Sequence, residues 1–271
     1  MVCAVELPAY LNILAPYKTT LERVGVPRDG GYAANPRALQ EAKSCVTIGL
    51  GMDWSFERDL HSRYGISEIV VFDGTVSLST YLKRAAGVFW EMVIFKEKPR
   101  AFAYAIVRQV FGYFFFFHGA AKHQKKMVVS KPIKRNEVDV AEIFKSVSDS
   151  NFLITKIDIE GGEYQLIEKL LLSSAFRNSI TVVMEWHDTD VKRDDFLRFV
   201  NEMSRTHFLI HIVGNSGAGL ADDGLPEVLE ITWQRKDLES LSERVRQLPI
   251  IGIDFPHSER RGLYDLKFNL N

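Results

Sequence analysis

The chain has 271 residues, of which 46% are hydrophobic and 25% charged, and its formal net charge is −1. That length supplies a sizeable core, the composition excludes a disordered chain, and the near-neutral charge excludes a bulk basic field for nucleic-acid phosphates. Cys3 and Cys45 are too few for a disulfide framework and lack metal-site spacing, so a reducing, cytoplasmic setting is expected.

Residues 1–43 read as a helical cap with a turn at "RDGGY" (residues 28–32). The N-terminus lacks the basic flank of a signal peptide, and Glu6 and Pro8 interrupt it, so no leader is expected. "SCVTIGL" (44–50) reads as a strand, followed by a helix in which Trp54, Leu60 and Tyr64 share a face. "EIVVFDG" (68–74) is a second strand, and residues 75–125 form a long helical insertion or lid. Within it, "AFAYAIVRQVFGYFFFFHGAA" (101–121) carries Arg108 and Gln109 at its middle. A membrane span needs about 20 apolar residues with few charges, so this segment reads as a buried or interfacial helix ending near Gly112. The basic runs "KHQKK" (122–126) and "KPIKR" (131–135) read as solvated surface.

"KMVVS" (126–130) is the expected third strand, "FLITKIDI" (152–159) the fourth and "ITVVMEW" (180–186) the fifth; "FLIHIVG" (208–214) and "VLEITWQ" (228–234) follow. Apolar runs without alternation suit strands covered on both faces, and their alternation with helices implies a doubly wound, mostly parallel sheet. No repeat or linker divides the chain, so a single domain over 1–271 is expected.

Three expected strands end in acids, Asp73, Asp158 and Glu185. In an open α/β sheet ligands bind beyond the carboxyl ends of the strands, so the three acids point to one crevice; three separate helix caps are the alternative. Gly49 and Gly51 at the first strand-to-helix turn would let a ligand approach the backbone. The dinucleotide pattern G-x-G-x-x-G fails, because its third glycine position is Trp54, which would crowd the helix against the sheet. Asp73 lies 22 residues after Gly51, a placement suited to binding a ribose. A nucleoside cofactor without a pyrophosphate fits better than NAD.

"KIDIEGGEYQLIEKLL" is similar to the K-[IV]-D-[IV]-E-G-x-E signature of FkbM-type, S-adenosylmethionine-dependent methyltransferases. "DGGY", "GLGMDWSFE", "VVFDGT", "VVMEWH" and "HIVGNSGAG" resemble further segments of that methyltransferase-like group. The resemblance implies a class I methyltransferase-like (Rossmann-like) fold, S-adenosylmethionine as cofactor, and O-methylation of a carbohydrate or glycosylated acceptor. The chain departs from common class I methyltransferases at Thr47, where an acid is usual, and at Asp53, where a third glycine is usual. Asp53 or Asp29 is left to receive the cofactor's ammonium group, with an early-helix acid the alternative for Asp53.

Asp158 and Glu160 share strand parity, and so do Glu185 and His187. His187 reads as the general base oriented by a carboxylate; Asp158, Glu185 and His187 holding Mg²⁺ is a second reading, and a His bonded to a loop carbonyl a third. Glu163 reads as a helix N-terminal acid, with Leu166, Ile167, Leu170 and Leu171 as that helix's buried face. His211 in its apolar strand reads as core, and His118 with residues 114–117 as packing or an acceptor wall. A cofactor-binding scaffold without turnover and a nucleotide-sugar-binding enzyme are the competing functions. The expected partner is a small molecule or glycan, with no nucleic acid and no integral membrane segment; a homo-oligomer is compatible with the sequence.

Overall fold

The computed structural model describes residues 4–27, 30–95, 99–148, 151–257 and 262–270, with backbone alone at residues 88, 91–95 and 99–108. Its centre is a seven-stranded sheet. In chain order the strands are β1 (Ser44–Ile48), β2 (Glu68–Phe72), β3 (Ala121–Gln124), β4 (Leu153–Ile157), β5 (Thr181–Trp186), β6 (His207–Gly214) and β7 (Leu229–Arg235). Their order across the sheet is β3-β2-β1-β4-β5-β7-β6. Only β7 runs against its neighbours, pairing antiparallel with both β5 and β6. This is the strand order of a class I methyltransferase-like, Rossmann-like fold.

Both faces of the sheet are covered. Val46, Ile48, Val70, Phe72, Leu153 and Ile157 pack into one core, while Cys45, Ile69, Val71, Ile154 and Val183 pack into another on the opposite face. Alternate residues of one strand thus enter different cores, which is why the strands read as unbroken apolar runs. Four long helices flank the sheet: α1 (Ser55–Tyr64), α2 (Leu78–Phe95), α3 (Pro99–Gly119) and α4 (Arg193–Met203).

Several expectations need correction. The third strand is Ala121–Gln124, not residues 126–130; Met127–Val128 instead pairs with Glu137–Val138 in a separate two-stranded sheet. As an edge strand β3 is half solvated, so the apolar-run criterion passes over it. The helix of the insertion does not end near Gly112 but continues to Gly119. A Cβ at Gly112 would lie 3.4 Å from the Trp54 ring, so this glycine marks a close packing contact inside the helix.

Among its described residues the N-terminal extension is helical only over Ala9–Leu14, as a 3-10 turn, and Pro36–Glu41. Its other elements are short strands, Ala4–Leu7 against Asp265–Phe268, and Glu22–Val24 against Tyr32–Ala34. After β4 the chain makes a 3-10 turn at Glu163–Leu166 before the helix Ile167–Leu172. Leu166, Ile167 and Leu170 are buried there as expected, whereas Leu171 is half-buried.

Candidate active site

The carboxyl ends of β1, β4 and β5 open onto two adjoining cavities. The smaller, about 250 Å³, is lined by Phe72, Asp73, Met127, Val128 and Ile159 among others. The larger, about 610 Å³, is lined by Asp53, Lys156, Glu185, His187 and Asn215 among others. Gly51, Asp158 and Glu160 line both. The three strand-end acids lie along the same edge of the sheet but not in a single crevice: Asp73 lines the smaller cavity, Glu185 the larger, and Asp158 both.

The glycine turn is dictated by close approach. Gly49 has φ +86°, and a Cβ there would sit 1.6 Å from the Asp158 carbonyl oxygen, so no other residue fits without moving β4's exit. Gly51, at φ +59°, has open space beside it. The turn is held by Asp73. Its Oδ2 accepts from the backbone N–H of Leu50 (2.8 Å) and Gly51 (3.2 Å). Its Oδ1 accepts from the N–H (2.6 Å) and hydroxyl (2.6 Å) of Thr75 and from Val76 N–H (3.3 Å). Burial works against ionisation of Asp73, but these donors outweigh it and leave the carboxyl below its ordinary pKa.

The insertion grips the same turn. Tyr81 of α2 donates to the Gly51 carbonyl at 3.2 Å, and Gln109 of α3 donates to the Met52 carbonyl at 3.0 Å. Trp54 does not crowd α1 against the sheet, as its place in the glycine pattern implied. It packs against the insertion and meets Tyr81, Tyr113 and Phe117 edge-on, with ring centroids 5.3, 5.8 and 6.4 Å away. Asp53 accepts from Ser55 N–H at 2.7 Å, the helix-start role, and also lines the larger cavity. Asp29 lies outside the described residues.

Beneath the turn is a buried ion pair that sequence reasoning missed. Glu57 of α1 and Lys156 of β4 are both essentially without exposure, with Oε1 and Nζ 3.5 Å apart. Thr47, where an acid is usual, donates to the same Glu57 oxygen at 2.8 Å, so α1 supplies the carboxylate that β1 lacks. Lys156 lies over the rings of Tyr32 (5.1 Å) and Phe56 (5.9 Å) and reaches the larger cavity. Burial opposes its charge, but Glu57, then Asp158 and Asp53, raise its pKa above the ordinary lysine value. Tyr32, of the "DGGY" turn, donates to Asp158 Oδ2 at 3.0 Å. The signal was available as an acid and a lysine inside two apolar patterns.

Around His187 three carboxylates gather. Nδ1 lies 3.2 Å from Glu163 Oε1; Nε2 lies 3.3 Å from Glu160 and 3.8 Å from Glu185. Glu163 is not simply a helix-start acid: it is fully buried, and the same oxygen accepts from Ile159 and Gly161 N–H at 3.3 and 3.2 Å. Glu160 adopts φ +53°, so extended geometry does not persist past Asp158 and the parity argument for that pair fails. Both still line the same cavities.

Glu185 accepts from the Asn215 side chain at 3.1 Å and lies opposite Glu230 across β5 and β7. Burial, then Asp158 and Glu230, push its pKa up to about 9. Burial opposes protonation of His187, yet Glu163, Glu185 and Glu160 together raise it to about 9.

Among the described residues no group of three or more His, Cys, Asp or Glu side chains is arranged to hold a metal ion, Asp158, Glu185 and His187 included. His211 is buried and bonded to Asp254 at 2.7 Å, away from both cavities. His118 stacks on Phe114 at 4.2 Å, and no residue of 114–118 lines either cavity.

No family model matches the chain, and no curated protein matches it. Solved structures do. A candidate tRNA (m1A22) methyltransferase of Streptococcus pneumoniae aligns with TM-score 0.38 and 8% identity, over 72% of this chain and 64% of that one. The chain thus spans less than two thirds of that structure. A precorrin-6y C5,15-methyltransferase of Geobacter metallireducens aligns with TM-score 0.34 and 10% identity, over 78% and 96%. The methyltransferase domain of bacterial CtHen1 aligns with TM-score 0.33 and 12% identity, over 72% and 91%. At such values the likenesses carry no argument about activity, and the fold rests on the strand order itself.

Proposed function

We propose that the chain is an S-adenosylmethionine-dependent O-methyltransferase of FkbM type, acting on a hydroxyl of a carbohydrate or glycosylated acceptor. The observation that carries this is the pair of cavities meeting at Gly51, Asp158 and Glu160, one largely apolar and one acid-rich. The residues fit the cofactor. Phe72, Val128 and Ile159 offer an apolar slot for a base, Asp73 stands at its rim, and Asp53, Asp158 and Glu185 surround the space suited to a cation. S-adenosylmethionine, when bound, supplies an electrophilic methyl on a positively charged sulfur.

The lining favours a hydroxyl-rich acceptor. Arg84, Glu160, Glu185, His187 and Asn215 offer hydrogen bonds, and no Phe, Tyr or Trp lines the larger cavity among the described residues. The acceptor oxygen gains a methyl and loses its proton, and His187 is the group we assign to take that proton. At neutral pH His187 already holds one, so it becomes a base only as the pH rises toward 9 or as a nearby cation favours its release. Holding the reactants in line would supply up to about 7–11 kcal/mol and the base about 10²–10⁴-fold.

The protonated His187 also favours a second reading, a cofactor-binding protein without turnover. Methyl transfer to a glycan library, with and without chelator and at pH 7 and 9, separates the two. Label transfer that rises with pH supports the enzyme; cofactor binding with no transfer at either pH supports the scaffold.

A further inference from the structure

We propose that the helical pair α2–α3 docks on the surface of an anionic lipid bilayer. The two helices pack against each other, and each leaves an apolar stripe open. On α2, Leu82, Phe89 and Trp90, spaced i, i+7, i+8, are 51%, 56% and 63% exposed. On α3, Phe111, Phe114 and Phe115, spaced i, i+3, i+4, are 57%, 39% and 67% exposed. Tyr113 and Phe117 of the same helix are buried toward Trp54. The domain core has therefore taken one aromatic face of α3 and left a second one in water. Six large apolar side chains on one insertion form more than scattered surface residues.

Charge decides the occupant. Residues 75–126 hold nine Lys/Arg and two Asp/Glu, in a chain that holds 34 and 35, so the remainder carries 25 and 33. A near-neutral protein has gathered its positive charge on the segment that exposes its aromatics. Lys83, Arg84, Lys122 and Lys125 are exposed there. Aromatic rings sit at the headgroup level, and lysines beside them attract acidic lipids. Among the described residues no helix is long and apolar enough to cross a membrane, so the pair would lie in the interface. Arg84 and Gln109 also line the larger cavity, so docking would bring one wall of that cavity to the headgroups.

Trp90 reports on the surface directly. The other three tryptophans, Trp54, Trp186 and Trp233, are buried. The test titrates the full chain with vesicles of phosphatidylglycerol and phosphatidylcholine, against phosphatidylcholine alone, reading tryptophan emission and co-sedimentation. A blue shift and pelleting with the anionic vesicles, reversed by high salt and absent in Trp90→Phe for the emission, is expected. Phe111→Glu/Phe115→Glu and, separately, Lys122→Glu/Lys125→Glu should each weaken partitioning roughly tenfold or more. Neither double variant touches the two cavities, so cofactor affinity, with circular dichroism, shows that each still folds. Three results would overturn the proposal: no shift or pelleting with anionic vesicles, equal binding to phosphatidylcholine alone, or a shift that follows protein concentration without lipid, which would mark a second copy as the occupant.

Discussion

His187 Nδ1 lies 3.2 Å from Oε1 of Glu163, a carboxylate with no solvent exposure that also accepts two backbone N–H groups. This contact, more than the longer one to Glu185, keeps the imidazole charged. A histidine whose pKa is raised above its ordinary 6.5 lends stability below that value and loses it as pH climbs through about 9. Glu163→Gln should bring the acid limb of kcat/KM at least about one unit lower and flatten the fall in melting temperature between pH 7 and 9.5. An unchanged pH–rate profile would show that His187 is not held by Glu163.

Glu185 contributes in the same direction. Its folded pKa is raised from 4.5 to about 9, so it favours the folded state most in acid and that preference is lost as pH rises across the interval. A cation beside the cluster should expel a proton from the Glu185–His187 pair. Calorimetry at pH 8 in buffers of different ionisation enthalpy should therefore show more protons released by S-adenosylmethionine than by neutral S-adenosylhomocysteine. Equal release would move the sulfonium away from this cluster.

Gly49 and Gly51 separate clash from backbone strain. Gly49→Ala should cost about 3 kcal/mol or more and abolish cofactor binding, because its Cβ would overlap the Asp158 carbonyl. Gly51→Ala, with open space and only its positive φ to strain it, should cost about 1–2 kcal/mol. Denaturant titration of both reads the difference; similar losses would refute the close-approach explanation.

Asp73→Ala should weaken S-adenosylhomocysteine binding about tenfold or more and also destabilise the free protein, since it orphans buried N–H groups at about 1–3 kcal/mol each. A variant that loses affinity at full stability would mean that Asp73 serves a ribose rather than the turn.

Lys156→Met should destabilise by about 3–5 kcal/mol by leaving Glu57 charged and buried, and adding Glu57→Leu should recover much of the loss. Chemical denaturation of the two variants measures it; additive losses would mean the pair is not coupled.

Six of the seven sheet strands and the three acids at their tips could be read from apolar runs and their punctuation. β3 could not, because an edge strand alternates with water and Ala121, Lys122, His123 and Gln124 carry no apolar signature. The edge at Asp158 could be placed but not its geometry: the left-handed turn at Glu160 is set by Glu163 accepting from the loop, a tertiary contact. Glu57 and Lys156 escaped because a charged residue in an apolar pattern reads as a solvated position until its partner is seen. Trp54 misled for the opposite reason, since only the insertion helices show where its ring goes.

The most direct measurement is isothermal calorimetry of the free chain with S-adenosylhomocysteine, NAD and a UDP-sugar, followed by a structure of whichever complex forms. The expected result is binding of S-adenosylhomocysteine alone, with its base between Phe72 and Ile159 and its sulfur facing Asp158. Binding confined to NAD or the UDP-sugar, or a ligand seated away from Gly49 and Asp158, would contradict the methyltransferase assignment.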